Sequence, residues 1–134
     1  MIVVKNKIIP PVEVKAMAFW PWLFVRAKYM SEKDMRHENI HGRQQVEMLV
    51  VGVVLAVVLW LCGCGWWSLL ALGLYYWVYC GLYLTGLLMG TDRRGGLSAY
   101  RWNPFEREAY FFEGDEGYLE RRKWYAWVRF MRSV

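Results

Sequence analysis

From Met48 to Gly90 the chain carries no charged side chain, a run of 43 residues in a protein of 134. A hydrocarbon core about 30 Å thick takes about 20 apolar residues per helix, so the run is long enough for two membrane-spanning helices. Gly63-Cys64-Gly65 falls near its middle and supplies the reversal. The spans are therefore expected at about 48–62 and 66–89. Apolar residues make up 57% of the chain, with 9 Trp and 9 Tyr, which is too much for an ordinary small water-facing domain. Both flanks are basic: residues 1–47 hold eight Lys/Arg against five acids, and residues 91–134 hold nine against seven. The positive-inside rule then keeps both termini in the cytoplasm. The formal net charge of +5 suits anionic lipid headgroups, and with a membrane hairpin present nucleic acid is not the expected partner. Lys5, Lys7, Pro10, Pro11 and Glu13 interrupt the N-terminus, which therefore does not read as a signal peptide. Cys62, Cys64 and Cys80 lie inside the apolar run and read as small buried hydrophobes, not as a disulfide framework.

The chain spends its only two histidines at His37 and His41, with Glu38 directly after the first. This is the HExxH pattern of zincin metallopeptidases. On a helix, positions i and i+4 share a face about 6 Å apart along the axis, so both imidazoles can ligate one Zn²⁺. Glu38, turned about 100° from His37, is placed as a general base toward water whose pKa the ion lowers to about 7. The competing account is an exposed helix that happens to carry two histidines. Ser31 followed by Asp34 has the form of a capping box, so this helix is expected to start there. Gly42 offers close approach beside the metal. Gln44 and Gln45 can hold the imidazoles from behind, although solvated helix surface is the commoner use of such residues.

A third ligand is sought in Asn103-Pro104-Phe105-Glu106-Arg107-Glu108-Ala109-Tyr110, where Asn103 can cap a helix and Pro104 can take its first position. Glu106 shares a face with Ala109, Tyr110 and Glu113, and small Ala109 would let this helix press on the metal helix. The bland account of Glu106 is a capping glutamate. Glu108 points off that face and is the second choice as ligand. Tyr75 to Tyr83 fall at mid-span, where an aromatic girdle does not explain them; they imply buried packing or a polar-lined cavity. Gly52 with Ala56, and Gly86 with Gly90, are spaced for close helix contact. Residues 2–9 and 14–26 read as strands of a small antiparallel sheet, whose edge could hold an extended peptide or whose Phe19, Trp20, Trp22 and Phe24 could equally anchor it at the membrane interface. Residues 118–132 mix aromatic and basic side chains at helical spacing. They read as a helix on the cytoplasmic membrane face or, alternatively, one packed over the metal site.

The expected architecture is an α+β membrane protein of one domain. Residues 1–30 supply the strands, 31–47 the HExxH helix, 48–90 the hairpin, and 91–134 the third-ligand and interfacial helices. The ordered motifs resemble a group of small bacterial membrane proteins of uncharacterised function with a metallopeptidase-like HExxH. In these an FxPFxFVR-type strand, an HExxHxRQQ helix, a hydrophobic stretch, an SFEREAY-type segment and a basic aromatic C-terminal helix follow in that order. The counterparts here are residues 19–26, 37–45, 103–110 and 118–130, nearly the whole chain apart from an expanded hairpin. More distantly, Glu106-Arg107-Glu108-Ala109 is similar to the E-x-x-A segment of gluzincins such as the membrane CAAX and heat-shock proteases. That resemblance implies Glu106 as third zinc ligand and a location in the bacterial inner membrane. The chain departs from it at Tyr110, where the wider class has aspartate. Two functions are thus expected: a zinc peptidase acting on a peptide or membrane protein with Glu38 as base, or a non-catalytic membrane scaffold with a structural metal.

Overall fold

The computed structural model describes residues 1–5, 16–25, 30–88 and 97–132. The fold is mixed α+β and mostly helical, with one small sheet. Strands β1 (Ile2–Lys5), β2 (Ala16–Phe19) and β3 (Trp22–Val25) lie in the order β1-β3-β2. β2 and β3 form the expected antiparallel pair, with Phe19 opposite Trp22. β1 instead runs parallel to β3, with Ile2 opposite Trp22, which corrects the wholly antiparallel sheet read from the sequence. The physical reason is chain length: sixteen residues separate Lys5 from Trp22, and a parallel return needs a dozen or more. Other parts of the expected strands, residues 6–15 and 26–29, lie outside the described residues. Ala16, Ala18, Leu23 and Val25 face one way and close a small core with Met30 and Met35.

The longest element, α1 (Glu32–Leu59), begins at the capping box expected for it. The Asp34 amide donates to Ser31 Oγ at 3.1 Å, and the Ser31 amide donates to Asp34 Oδ2 at 3.1 Å. Such a cap is worth about 1 kcal/mol. Past Leu59 the helix widens into one π-type turn, Trp60–Cys64, and breaks at Gly63, whose φ is +88°. Gly65 follows at φ +54°; two left-handed residues this close together need glycine. A 3₁₀ stretch, Gly65–Gly73, then leads into α2 (Leu74–Leu88). The returning chain packs along α1, Tyr75 beside Met48 and Ala71 over Gly52. A Cβ at position 52 would stand 2.4 Å from the Ala71 carbonyl oxygen, so glycine is what admits the backbone there. The opening of this stretch is 3₁₀, not the α-helix expected from residue 66.

The helical run Glu32–Leu88 contains a stretch long and apolar enough to cross a membrane, with 17% of its most apolar window buried. Cys62, Cys64 and Cys80 are free and exposed. This corrects their reading as buried hydrophobes: they lie on the outward faces of the turn and of α2, away from the contact with α1.

Beyond the run come α3 (Leu97–Trp102), α4 (Pro104–Phe112) and α5 (Tyr118–Arg121). Asn103 caps α4 by accepting from the Phe105 amide at 3.1 Å. Ile40 of α1 packs on Ala109 of α4 and on Tyr118, while Phe105 joins Met48, Tyr75 and Trp127. The single helix expected over 118–132 is not found. The chain extends at Arg122, turns at Tyr125 with φ +55°, and resumes as a 3₁₀ turn, Ala126–Arg132. Arg122 and Trp127 are both drawn inward, and on one continuous helix five residues would set them about 140° apart. The break lets both reach the interior, so this segment packs against the helices and is not one continuous helix.

Candidate metal centre

α1 presents His37 and His41 on the face covered by α4, and α4 brings Glu106 against both. The two Nε2 atoms are 3.1 Å apart. Glu106 Oε2 lies 3.4 Å from His37 Nε2, and Oε1 lies 3.3 Å from His41 Nε2. With bonds of about 2.0–2.1 Å, the ligands of a tetrahedral ion stand about 3.3–3.4 Å apart, and the two nitrogens and the two carboxylate oxygens approach one another at close to that distance. All three side chains are buried and offer one ligand atom each within 4.8 Å of one another. Glu106 Oε2 is buried with no hydrogen-bond partner. An orphaned carboxylate oxygen 3.4 Å from the His37 nitrogen, with the His41 nitrogen beside the same carboxylate, is an arrangement a divalent cation satisfies, so the donor set fits a metal ion.

The rear of each imidazole is held. His37 Nδ1 lies 2.9 Å from Glu113 Oε2, and His41 Nδ1 lies 2.8 Å from Gln44 Oε1. Because both partners accept, each Nδ1 carries its proton and each Nε2 turns toward the shared centre. Glu113 is anchored in turn by Lys33 Nζ at 2.9 Å and through its carbonyl by Arg36 Nε at 2.8 Å. The ring of Tyr110 packs edge-on against His37 at 4.7 Å. Tyr110, the departure from the gluzincin pattern, thus covers His37, and the carboxylate support falls to Glu113 one turn later. Tyr79 donates to Glu106 Oε1 at 2.8 Å, fixing the third donor from the side of α2.

Electrostatics follow from this packing. Burial works against the charge of Glu106, but the charge of His41 and the closeness of His37 and Tyr100 hold its carboxyl well below the usual carboxylate range. Burial likewise opposes a proton on His41, yet Glu106 outweighs it, with help from Glu38 and Gln44, and raises His41 from 6.5 to about 9. Without metal, an imidazolium and a carboxylate therefore neutralise each other at the centre. Glu38 is half-buried beside the cluster, and burial raises its carboxyl above the ordinary value despite His41 and His37.

His37, Glu38, His41 and Glu106 share one cleft of about 750 Å³, lined also by Ala16, Met17 and Ala18 of β2 and by Tyr75, Tyr76 and Tyr79 of α2. Tyr75, Tyr76 and Tyr79 thus line a polar-edged cavity, one of the two readings their position allowed. Glu108, the second-choice ligand, is not at the centre. It is fully buried 2.6 Å from Arg122 Nε and from the Tyr118 hydroxyl. Gln44 and Gln45, for which solvated surface was the commoner expectation, are both buried. Gln45 accepts from the Trp20 amide at 2.6 Å and donates to the Ala18 carbonyl at 2.8 Å, tying the sheet to α1. At Gly42 the near neighbour is the Met1 side chain, not another backbone. Sequence reasoning passed over Glu113 as a supporting residue, although its place on the face of Glu106 and Tyr110 was the signal. Glu47 and Arg122 carried no local signal, because their partners are distant in the chain. Comparison with protein-family models, with curated proteins and with solved structures finds no match.

Proposed function

We propose that this chain is a membrane-bound zinc metallopeptidase that hydrolyses peptide bonds at the cytoplasmic face of the membrane. The observation that carries this reading is the convergence of His37 Nε2, His41 Nε2 and the Glu106 carboxylate, whose Oε2 stands 3.4 Å from the first nitrogen and whose Oε1 stands 3.3 Å from the second, in a cleft that also contains Glu38. A bound Zn²⁺ polarises a carbonyl oxygen and lowers the pKa of water to about 7. Glu38, in the same cleft, would take the proton from attacking water. Its raised pKa then lets it pass that proton to the leaving amine nitrogen as the C–N bond breaks. β2 lines the cleft beside Glu38 and forms one wall of the space a substrate would enter. The run from Met48 to Gly90 forms two spans that reverse at Gly63–Gly65, leaving both termini cytoplasmic. Its support is the outward apolar surface of Val50, Val53, Val54, Val57 and Val58, together with the basic flanks.

The test uses the full chain in lipid. Zinc content of about one ion per chain is expected in wild type and in Glu38→Gln, while chelator-sensitive release of peptides from a mixed membrane-protein pool falls about 10²-fold or more in Glu38→Gln. An active Glu38→Gln protein removes Glu38 from the role of base. Full zinc occupancy with no hydrolysis beyond the Glu38→Gln control favours a structural metal in a scaffold protein.

A further inference from the structure

Gln44 is fully buried against His41, and the direction of its amide decides which nitrogen of that histidine can face a metal. Its surroundings leave one choice. The amide nitrogen lies 3.0 Å from the Phe105 carbonyl oxygen and 3.0 Å from Glu108 Oε2, two groups that only accept. The NH₂ must face them, so the carbonyl oxygen is the atom 2.8 Å from His41 Nδ1. Nδ1 therefore donates, and Nε2 is the nitrogen directed at the centre.

Glu108 is held just as completely. Arg122 donates through Nε at 2.6 Å and Nη2 at 3.1 Å, and the Tyr118 hydroxyl donates at 2.6 Å. The same guanidinium grips Glu47 of α1, with Nη2 at 3.1 Å from Oε2 and Nη1 on Oε1. Side-chain exposure is 4% for Arg122, 4% for Glu47 and 0% for Glu108. Burying such charges gains little stability over apolar packing, so their use is better sought in the geometry they impose.

We propose that this buried hub is a positioning device for the metal centre: Arg122 orients Glu108, Glu108 orients the Gln44 amide, and Gln44 sets the tautomer and direction of His41. The proposal rests on the metal reading above and deepens it. The C-terminal segment becomes part of the support of a centre it does not touch, and Glu108 acts on the ion without ligating it.

The experiment is a double-substitution cycle on the full chain in mild detergent, with Zn²⁺ affinity read by chelator competition and coordination read from the absorption bands of bound Co²⁺. Gln44→Met keeps the volume but removes the acceptor; Arg122→Lys keeps the buried charge but removes the planar fork. Gln44→Met is expected to weaken Zn²⁺ binding about 10–100-fold and to shift the Co²⁺ bands. Arg122→Lys is expected to weaken it by about 3–10-fold alone and to add nothing once Gln44 is Met, because the link is already cut. If Arg122→Lys does not fold, Glu108→Gln takes its place with the same expectation. Equal losses from Arg122→Lys in both backgrounds would mean general loosening and would overturn the hub, as would unchanged affinity in Gln44→Met. A wild type that binds no Zn²⁺ overturns the metal reading itself, and the hub with it.

Discussion

α1 is two helices in one. Over its first half the buried side chains are polar: His37, His41, Gln44, Gln45 and Glu47 sit inside, with Ile40 among them. Over its second half the exposed side chains are apolar, and the inward face is reduced to Met48, Gly52 and Ala56. Each half would be an error by the rules of the other. Polar groups can be buried in the first half because nearly every one has a partner, from Gln45 on the sheet to Glu47 on Arg122. Valines can be exposed in the second half if what surrounds them is hydrocarbon, where outward valine gains and outward charge loses. The metal centre stands just inside the polar half, two turns before the change at Met48.

The largest effect that tests this contrast is expected at Val54, which is 61% exposed. In water, Val54→Lys at an exposed site is close to neutral, within about 0.5 kcal/mol. In a bilayer a lysine near mid-span costs about 3 kcal/mol, and the membrane-inserted fraction should drop accordingly. A carbonate-extraction assay that finds no change would break the comparison.

The polar half should respond to pH. In the metal-free fold His41 keeps its proton to about 9 against 6.5 for the ordinary imidazole, so the folded state binds that proton more tightly than the unfolded chain. This contribution is complete below about 6.5 and is lost as pH rises through 9, for a total of up to about 3 kcal/mol. Denaturant midpoints of the metal-free protein should therefore fall over that window. Zinc-loaded protein should lack the fall, since the ion replaces the proton.

A smaller effect is expected from the reciprocal change, an apolar side chain placed in the polar half. Gln45→Leu leaves the Trp20 amide and the Ala18 carbonyl without their partner and should cost about 2 kcal/mol. Hydrogen exchange should quicken at Trp20 and leave the α1 amides near Gly52 unchanged. Equal quickening along the whole of α1 would show that the two halves fold as one unit.

What the residues alone determined is local or compositional. Ser31 and Asp34 mark the start of α1, Asn103 and Pro104 mark that of α4, and Gly63 with Gly65 marks the reversal, each within a few residues of its partner. The i, i+4 spacing of His37 and His41 is of the same kind, as is the uncharged run that asks for an apolar surrounding. Tertiary structure decided what depends on contacts between separate elements, from about 14 to more than 70 residues apart in the chain. Glu106 and Glu108 lie on one helix two positions apart, about 200° around its axis, and both are buried acids. Only the docking of α4 on α1 turns one toward the histidines and the other toward Arg122. Packing likewise buried Gln44 against α4 and Gln45 against the sheet, and broke the last helix so that Arg122 and Trp127 could both reach the interior. Spacing along a helix names a face, but the partner that meets the face is chosen by packing across the whole chain.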